Sequence, residues 1–209
     1  MREAPTTVPV VSIIGKGDSG KTTFLEKLIS ELSARGVRVA TAKHHVHDYD
    51  IDTPGKDSWR HARAGAVTAM VSSPEKFSLV SSVESEMTLP ELARVAADSG
   101  ADILLTEGYK REGENRIEVS RLERSDELIC EPGEAIAVVT DNPQARCGDA
   151  PLFGLDDAAA VADLIQERFL RSGGAGVPRA VPQARSAEDC LSTGSPPHRD
   201  PVEEASDGD

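Results

Sequence analysis

The sequence predicts an α/β fold of the P-loop NTPase class, with a mostly parallel, twisted sheet that carries helices on both faces. Three observations predict it: a short apolar run, a glycine-rich loop directly after it, and an amphipathic helix directly after the loop. The loop at residues 15–22 reads GKGDSGKT and satisfies the pattern G-x-x-x-x-G-K-[ST] in full. Strands and helices then alternate to residue 170, and this alternation builds parallel sheets because each crossover helix packs on a sheet face.

Each element follows from the spacing of its apolar residues. The β-branched run at residues 8–14 predicts a strand that is buried on both faces. Between residues 22 and 32 the apolar residues recur with helical spacing, and Gly36 supplies the stop. Asp57 is the predicted N-cap of a second, short helix. The other predicted strands are 37–42, 67–71, 77–80, 102–106, 116–119 and 135–140, and the other predicted helices are 58–64, 89–99 and 156–169.

The chain divides by composition into two parts. Its 209 residues are enough for one core of ordinary size, which we predict to be a nucleotide-binding domain at 1–170. Residues 171–209 contain no aromatic residue and are rich in Gly, Pro, Ser, Ala and acids. Such a segment buries too little apolar area to offset its ordering entropy, so we predict a disordered, acidic C-terminal tail.

Charge and cysteine usage exclude several classes of protein. A formal net charge of −13 argues against a nucleic-acid or anionic-membrane binder, because polyanion binding depends on clustered Lys and Arg. The three cysteines are far apart and form no C-x-x-C pair, so neither a zinc site nor a disulfide framework is indicated. The apolar run at 8–14 is too short for a signal sequence or a membrane span. We therefore expect a protein of the reducing cytoplasm.

The glycine-rich loop predicts a phosphate site. Glycines let the backbone turn tightly, so that successive N–H groups face phosphate oxygens at the positive end of a helix. Lys21 is predicted to reach the β- and γ-phosphates and Thr22 to bind Mg²⁺. Lys16 has two interpretations: it reaches a phosphate across a dimer interface, as in the dimeric ATPases that this part of the loop resembles, or it is a solvated lysine at the loop edge.

Two carboxylates after predicted strands complete this site. Glu107 stands where P-loop enzymes place the acid that holds Mg²⁺ or its waters, and a helix cap or a loop charge is the alternative. The guanine motif Asn-Lys-x-Asp is absent, but Asp141 follows a later strand, and a carboxylate can accept both N–H groups of the guanine edge. A turn before Pro143 is the alternative. The predicted catalytic residues are Lys21 and Glu107. The predicted nucleotide-binding residues are Gly15, Lys16, Gly17, Asp18, Ser19, Gly20, Lys21, Thr22, Thr23 and Asp141.

A polar loop rich in His and Asp follows the second predicted strand. Its imidazoles can bind Zn²⁺ or Ni²⁺ with a carboxylate, or hydrogen-bond phosphates or a partner, and simple solvation is the third alternative. Because the loop leaves the same end of the sheet as the phosphate loop, we expect some of it near the nucleotide. Asp52 joins Thr22 and Glu107 as a predicted Mg²⁺ ligand. The predicted ligand- or partner-contacting residues are His44, His47, Asp48, Asp52, Lys56, Asp57 and Arg60.

The motifs together resemble the molybdopterin-guanine dinucleotide biosynthesis adapter family, the MobB family, over residues 8–170. The resemblance depends on the phosphate loop and on four further runs. In order, they are KHxxHDxDxDxPGKDS from Lys43, RHxxxGA from Arg60, TEGYK from Thr106 and IEVxR from Ile117.

The resemblance implies a GTP-binding homodimer with weak GTPase activity at most. It also implies a role in assisting the guanylyltransferase that joins GMP to molybdopterin, with GTP and Mg²⁺ as cofactors and molybdopterin as a further bound ligand. Lys16 departs from the family pattern, which has an aromatic or small residue there, and this departure leaves open a variant dimer interface.

Two other functions stay open at this point. A nickel-insertion metallochaperone GTPase would use His44, His45 and His47 as ligands, although no Cys-rich or His-rich extension is present. A small-molecule kinase would use Arg60 and Arg63 for phosphate binding, although no lid segment is evident.

Overall fold

The computed structural model describes residues 7–45 and 52–170. Within these residues the strands are β1 Val10–Ile14, β2 Val39–Lys43, β3 Thr68–Ser72, β4 Phe77–Ser81, β5 Ile103–Glu107, β6 Arg116–Ser120, β7 Ala135–Thr140 and β8 Leu152–Phe153. The helices are α1 Lys21–Ala34, α2 Asp57–Arg63, α3 Leu89–Asp98 and α4 Ala158–Ile165, which continues into a π-helical turn at Gln166–Leu170. Residues 46–51 of the polar loop, which include His47, Asp48 and Asp50, and the whole predicted tail lie outside the described residues.

A six-stranded sheet in the order β2-β5-β1-β6-β7-β8 forms the body. Every neighbouring pair in it is parallel, so all six strands end at one edge of the sheet. β1 lies between β5 and β6, where the order of the strands switches direction, and ligands of open α/β sheets bind outside the strand ends at such a switch point. The predicted parallel α/β fold is confirmed.

Helices cover both faces of the sheet, because successive residues of each central strand point to opposite sides. Val11 and Ile13 pack with Phe24 of α1 and Val161 of α4 on one face. On the opposite face Val10 packs with the small apolar side of α3. Full burial of an aliphatic or aromatic side chain contributes roughly 1.5–3 kcal/mol, so α1 and α4 are held mainly by this packing.

Local chemistry sets where the helices begin. At the start of α3 the Glu91 carboxylate accepts hydrogen bonds from the backbone N–H and the hydroxyl of Thr88, at 2.8 and 2.7 Å, and these bonds lower the pKa of Glu91. The prediction of Asp57 as an N-cap was wrong by one residue. Lys56 is the extended residue before α2, and its carbonyl already accepts the Arg60 N–H at 2.9 Å. Asp57 is therefore the first helical residue, where its charge still favours the helix dipole.

Strands β3 and β4 form a separate antiparallel hairpin. Together with α2 this hairpin makes up residues 57–81, which we call the arm. Within the arm Ala69 alone is buried, while Met70 and Phe77 are 63% and 64% exposed. The sequence predicted both strands but not that they pair only with each other. It also missed the two-residue strand β8, which is too short to show a periodicity.

A buried carboxylate fixes the chain after β6. Glu118 is 1% exposed and accepts the backbone N–H groups of Ile129 and Cys130 at 2.7 and 2.9 Å. Burial, with the neighbouring Glu118 charge, raises the pKa of the Cys130 thiol to about 12, so this thiol stays protonated and inert. The segment that leaves β6 at Ser120 is thus anchored again to the same strand nine residues later, at Ile129. No helix among the described residues is long and apolar enough to cross a membrane.

Candidate functional site

The glycine-rich loop joins β1 to α1 at the carboxyl-end edge of the sheet. Gly15 has φ +150°, and a Cβ there would stand 2.2 Å from the Val119 carbonyl oxygen of β6. Gly20 has φ +89°, and a Cβ there would stand 2.9 Å from Nε of Arg121. A side chain at either position would collide with its neighbour, so glycine lets the loop fit between its flanking strands.

Lys21 lies inside the curve of this loop. Its ammonium donates a hydrogen bond to the carbonyl oxygen of Lys16 at 2.7 Å. Burial lowers the pKa of Lys21 below the ordinary value of 10.5, and this effect outweighs the opposing influence of the Glu107 charge. The protein thus holds a partly desolvated cation at the helix start, where a phosphate oxygen can replace the carbonyl as its partner.

Thr22 and Glu107 meet beside Lys21. The Thr22 hydroxyl donates to Oε1 of Glu107 at 2.9 Å, and Nζ of Lys43 lies 3.3 Å from the same oxygen. The strand register explains this meeting, because Glu107 pairs with Ile13 on one side and with Lys43 on the other. A hydroxyl and a carboxylate at this distance are oxygen ligands of the kind that Mg²⁺ takes, so the pair can hold the ion or its waters.

A cavity of about 510 Å³ opens over these residues. It is lined by Asp18, Ser19, Gly20, Lys21, Thr22, Thr23, Lys43, Glu107 and Arg121. The Ser19 hydroxyl is buried and has no hydrogen-bond partner among the described residues, which is uncommon for a buried polar group. Three cations against two carboxylates make the cavity positive within an acidic chain. An unpartnered donor, loop N–H groups and excess positive charge together fit a polyphosphate.

A second segment lies against the loop, and we call residues 121–127 the cover segment. The Lys16 ammonium donates to the Ser125 hydroxyl at 2.5 Å and lies 3.7 Å from the Glu127 carboxylate. Arg124 donates to the Asp18 carboxylate at 3.1 Å. Lys16 therefore contacts its own chain, and its predicted action across a dimer interface stays a prediction.

Asp141 follows β7 on the far side of the cover segment. One of its carboxylate oxygens accepts the Leu122 N–H at 2.7 Å. The turn that was the alternative interpretation is present, since the Asn142 N–H donates to the Thr140 hydroxyl at 3.0 Å. Asp141 is thus held at the carboxyl-end edge next to Leu122, and its contact with a base stays a prediction.

The described part of the polar loop does not line the cavity. The His44 imidazole lies 2.9 Å from Glu86 and stacks on Tyr109 at 4.8 Å between ring centres, so it points towards the α3 face. Asp52 accepts hydrogen bonds from Thr53 and Ser58 within its own turn, at 2.9 and 3.0 Å.

The rest of the predicted loop set shows no common ligand site either. Lys56, Asp57 and Arg60 lie at the start of α2, and the predictions for His47 and Asp48 fall outside the described residues. In the ranges 7–45 and 52–170 no group of three His, Cys, Asp or Glu side chains is placed to hold a metal. The predicted Mg²⁺ role of Asp52 stays a prediction.

Sequence reasoning missed two cavity residues, Lys43 and Arg121. Both carry a recognisable signal, because each stands at or directly after the carboxyl end of an apolar strand. What the sequence did not provide is the strand order. That order places Lys43, Glu107, the glycine-rich loop and Arg121 in succession along one edge.

Comparison with known proteins identifies close relatives. The family model described as molybdopterin guanine dinucleotide synthesis protein B matches residues 10–141. The molybdopterin-guanine dinucleotide biosynthesis adapter protein of Escherichia coli K12 is 35% identical over 174 residues, which are 81% of this chain and 98% of that protein. The Haemophilus influenzae protein of the same name is 34% identical, over 76% of this chain and 88% of its own. The crystal structure of Bacillus subtilis MobB superposes with a TM-score of 0.63 at 27% identity, over 78% and 99% of the two chains.

We predict that Lys21→Met separates stability from ligand binding. Because the folded-state pKa of Lys21 lies below 10.5, the charged side chain opposes folding at pH 7, and this penalty disappears as pH rises through the lowered pKa towards 10.5. The melting temperature of the ligand-free variant should not fall at pH 7, and its advantage over the natural chain should shrink in alkali. Triphosphate affinity should fall at least tenfold, about 1.4 kcal/mol. Calorimetric titration beside thermal unfolding measures both. Lys27→Met is the control, and a variant that binds normally contradicts the assignment of Lys21.

Proposed function

The chain belongs to the molybdopterin guanine dinucleotide synthesis protein B (MobB) family, and we propose that it is a cytoplasmic GTP-binding adapter for a guanylyltransferase. In this role it assists the partner enzyme in joining GMP to molybdopterin, and the partner performs the transfer. The observation that carries the proposal is the positive cavity, in which Lys21 lies beside the Thr22–Glu107 pair. Family membership supports the pathway, and the cavity supports the nucleotide.

The residues present fit GTP with Mg²⁺. Loop N–H groups, Lys21 and the Ser19 hydroxyl would hold phosphate oxygens, while Thr22 and Glu107 would hold Mg²⁺, which neutralises phosphate charge when bound. Hydrolysis should be weak. Glu107 would be occupied by Mg²⁺ and its waters, beside Thr22 and Lys43, and Asp18 is paired with Arg124, so neither carboxylate of the cavity is free to act as a base on an attacking water. A cavity that binds triphosphate without cleaving it quickly suits an adapter.

The proposed adapter role is tested by reconstitution with a purified guanylyltransferase, molybdopterin, GTP and Mg²⁺. Adding this chain should raise the yield of the dinucleotide, measured by chromatography. In a separate titration with GTP, added molybdopterin tests whether molybdopterin is a second ligand of the chain. Lys21→Met should abolish the increase because it removes the phosphate contact, whereas Lys27→Met, on the exposed side of the same helix, should preserve it. A yield that is the same with and without the chain contradicts the role.

We further propose that Asp141 selects guanine. It lies at the same edge as the cavity, one strand beyond β6, and its carboxylate can accept the two N–H groups that adenine lacks. The carboxylate would have to share or release the Leu122 N–H, because one of its oxygens already accepts that bond.

Asp141→Ala should therefore bring the GTP and ATP affinities closer together, by about 1–3 kcal/mol. Titration of both nucleotides against the natural chain and the variant measures the gap. Asp149→Ala, an exposed carboxylate on a later turn, is the control. Equal affinities for GTP and ATP in the natural chain would remove Asp141 from base recognition.

The arm supports the proposal of a homodimer. Register places Met70, Phe77 and Leu79 on one face of the hairpin, and all three are more than half exposed. Contiguous exposed apolar residues and unpaired strand edges are normally covered by a partner. A second copy supplies a matching apolar face and a matching edge by two-fold symmetry.

Leu79→Lys should accordingly convert dimers into monomers, because a buried, unpaired charge costs several kcal/mol at an apolar interface. Sedimentation equilibrium gives the mass of both forms. Val95→Lys places the same charge on the exposed face of α3, which is 56% exposed at that residue, and should leave the mass unchanged. A natural chain that is monomeric at micromolar concentration, or a variant that stays dimeric, contradicts the proposed interface.

A further inference from the structure

Arg121 lines the same cavity as Lys21 but has no part in the phosphate loop itself. It follows Ser120, the last residue of β6, at the carboxyl-end edge of the sheet. Its guanidinium lies over Gly20: a Cβ at Gly20 would stand 2.9 Å from Nε, 3.3 Å from Nη2 and 3.4 Å from Cζ. Three atoms of one plane at nearly equal distances mean that the guanidinium covers the glycine that begins α1.

One N–H group of the guanidinium lacks an acceptor. Nε of Arg121 is buried and has no hydrogen-bond partner among the described residues. Other arginines of the chain are paired: Arg124 with Asp18, Arg38 with Asp102, and Arg35 with Glu31 and Asp163. Withholding an N–H of a cation from both water and an acceptor is costly, and such a group is retained where a ligand completes it.

The strand order tells which part of a nucleotide reaches this position. Thr22, Lys43 and Glu107 gather on the β5 side of β1, and the β- and γ-phosphates with Mg²⁺ belong there. The α-phosphate must then lie further along the loop, on its opposite side. Gly20 and Arg121 lie on that side, above β6, and Asp141 lies one strand further.

We propose that Arg121 binds the α-phosphate of the nucleotide through its guanidinium and thereby fixes where the nucleoside leaves the cavity. A guanidinium pairs well with phosphate oxygens because its N–H groups form a planar fork. The contact is independent of the γ-phosphate, so Arg121 acts equally on a nucleoside diphosphate and a triphosphate. The inference rests on the proposed nucleotide binding and adds the residue that reads its α-phosphate.

The test compares GDP and GTP titrations for the natural chain, Arg121→Met, Arg121→Lys and the control Arg94→Met. Arg121→Met keeps most of the side-chain stem and should weaken GDP and GTP by the same factor, about tenfold or more. Arg121→Lys should recover part of this loss. Arg94→Met removes an exposed arginine of α3, away from the cavity lining, and should change neither affinity more than about twofold. Thermal unfolding reports whether each variant folds. If Arg121→Met does not fold, Arg121→Lys is used in its place.

The two diastereomers of GDPαS, in which sulfur replaces one α-phosphate oxygen, provide a readout that mere packing would not move. The natural chain should prefer one diastereomer, and the Arg121 variants should bind both nearly alike. Any of three results for the Arg121 variants overturns the inference while nucleotide binding stands. The variants lose affinity for GTP alone, their affinities for both nucleotides are unchanged, or they prefer one diastereomer as strongly as the natural chain does. Failure of the natural chain to bind either nucleotide overturns the inference and the proposed function together.

Discussion

The site depends on one close approach, between the glycine-rich loop and the end of β6. With no side chain at Gly15, the loop backbone can lie against the Val119 carbonyl, where a methyl group would stand 2.2 Å from the oxygen. This contact seats the loop between β5 and β6. From there the start of α1 faces Glu107 on one side and Arg121 on the other. A substituent at Gly15 would force the loop out of this position, and the threonine–carboxylate pair and the guanidinium cover would both lose their geometry.

The charge of the chain acts differently at long and short range. The net charge of −13 repels an anionic nucleotide at a distance, but screening at physiological salt limits that repulsion to about 8 Å. Inside the cavity Lys21 and Arg121 are partly removed from solvent, Lys43 adds its charge from an exposed position, and these charges interact in a lower effective dielectric than in water. Local attraction therefore dominates once the phosphates arrive. An acidic composition excludes extended polyanions as ligands without excluding a compact one.

The sequence predicted the parts of the fold that local patterns encode. The phosphate loop and its flanking strand and helix were predicted because glycine spacing and apolar periodicity are local signals. Arg121 and Lys43 could not be found in this way, because their place in the cavity depends on which strands are neighbours. For the same reason the pairing of β3 with β4 alone was not predicted. The first residue of α2 depends on one hydrogen bond, which the Lys56 carbonyl accepts. A pattern of residue types does not fix a helix start to a single residue.

The arm has a thermodynamic consequence of its own. An element that buries only Ala69 in its own chain gains little free energy from folding by itself, so its opening should cost far less than opening the sheet. In the proposed dimer the order of the arm would depend on the second copy that covers it, and its stability would be a function of protein concentration rather than a fixed property of the chain. The sheet and the nucleotide cavity share no buried core with the arm, so they would keep their stability on dilution. One polypeptide would thus contain two regions that unfold separately, and only the stability of the arm would depend on protein concentration.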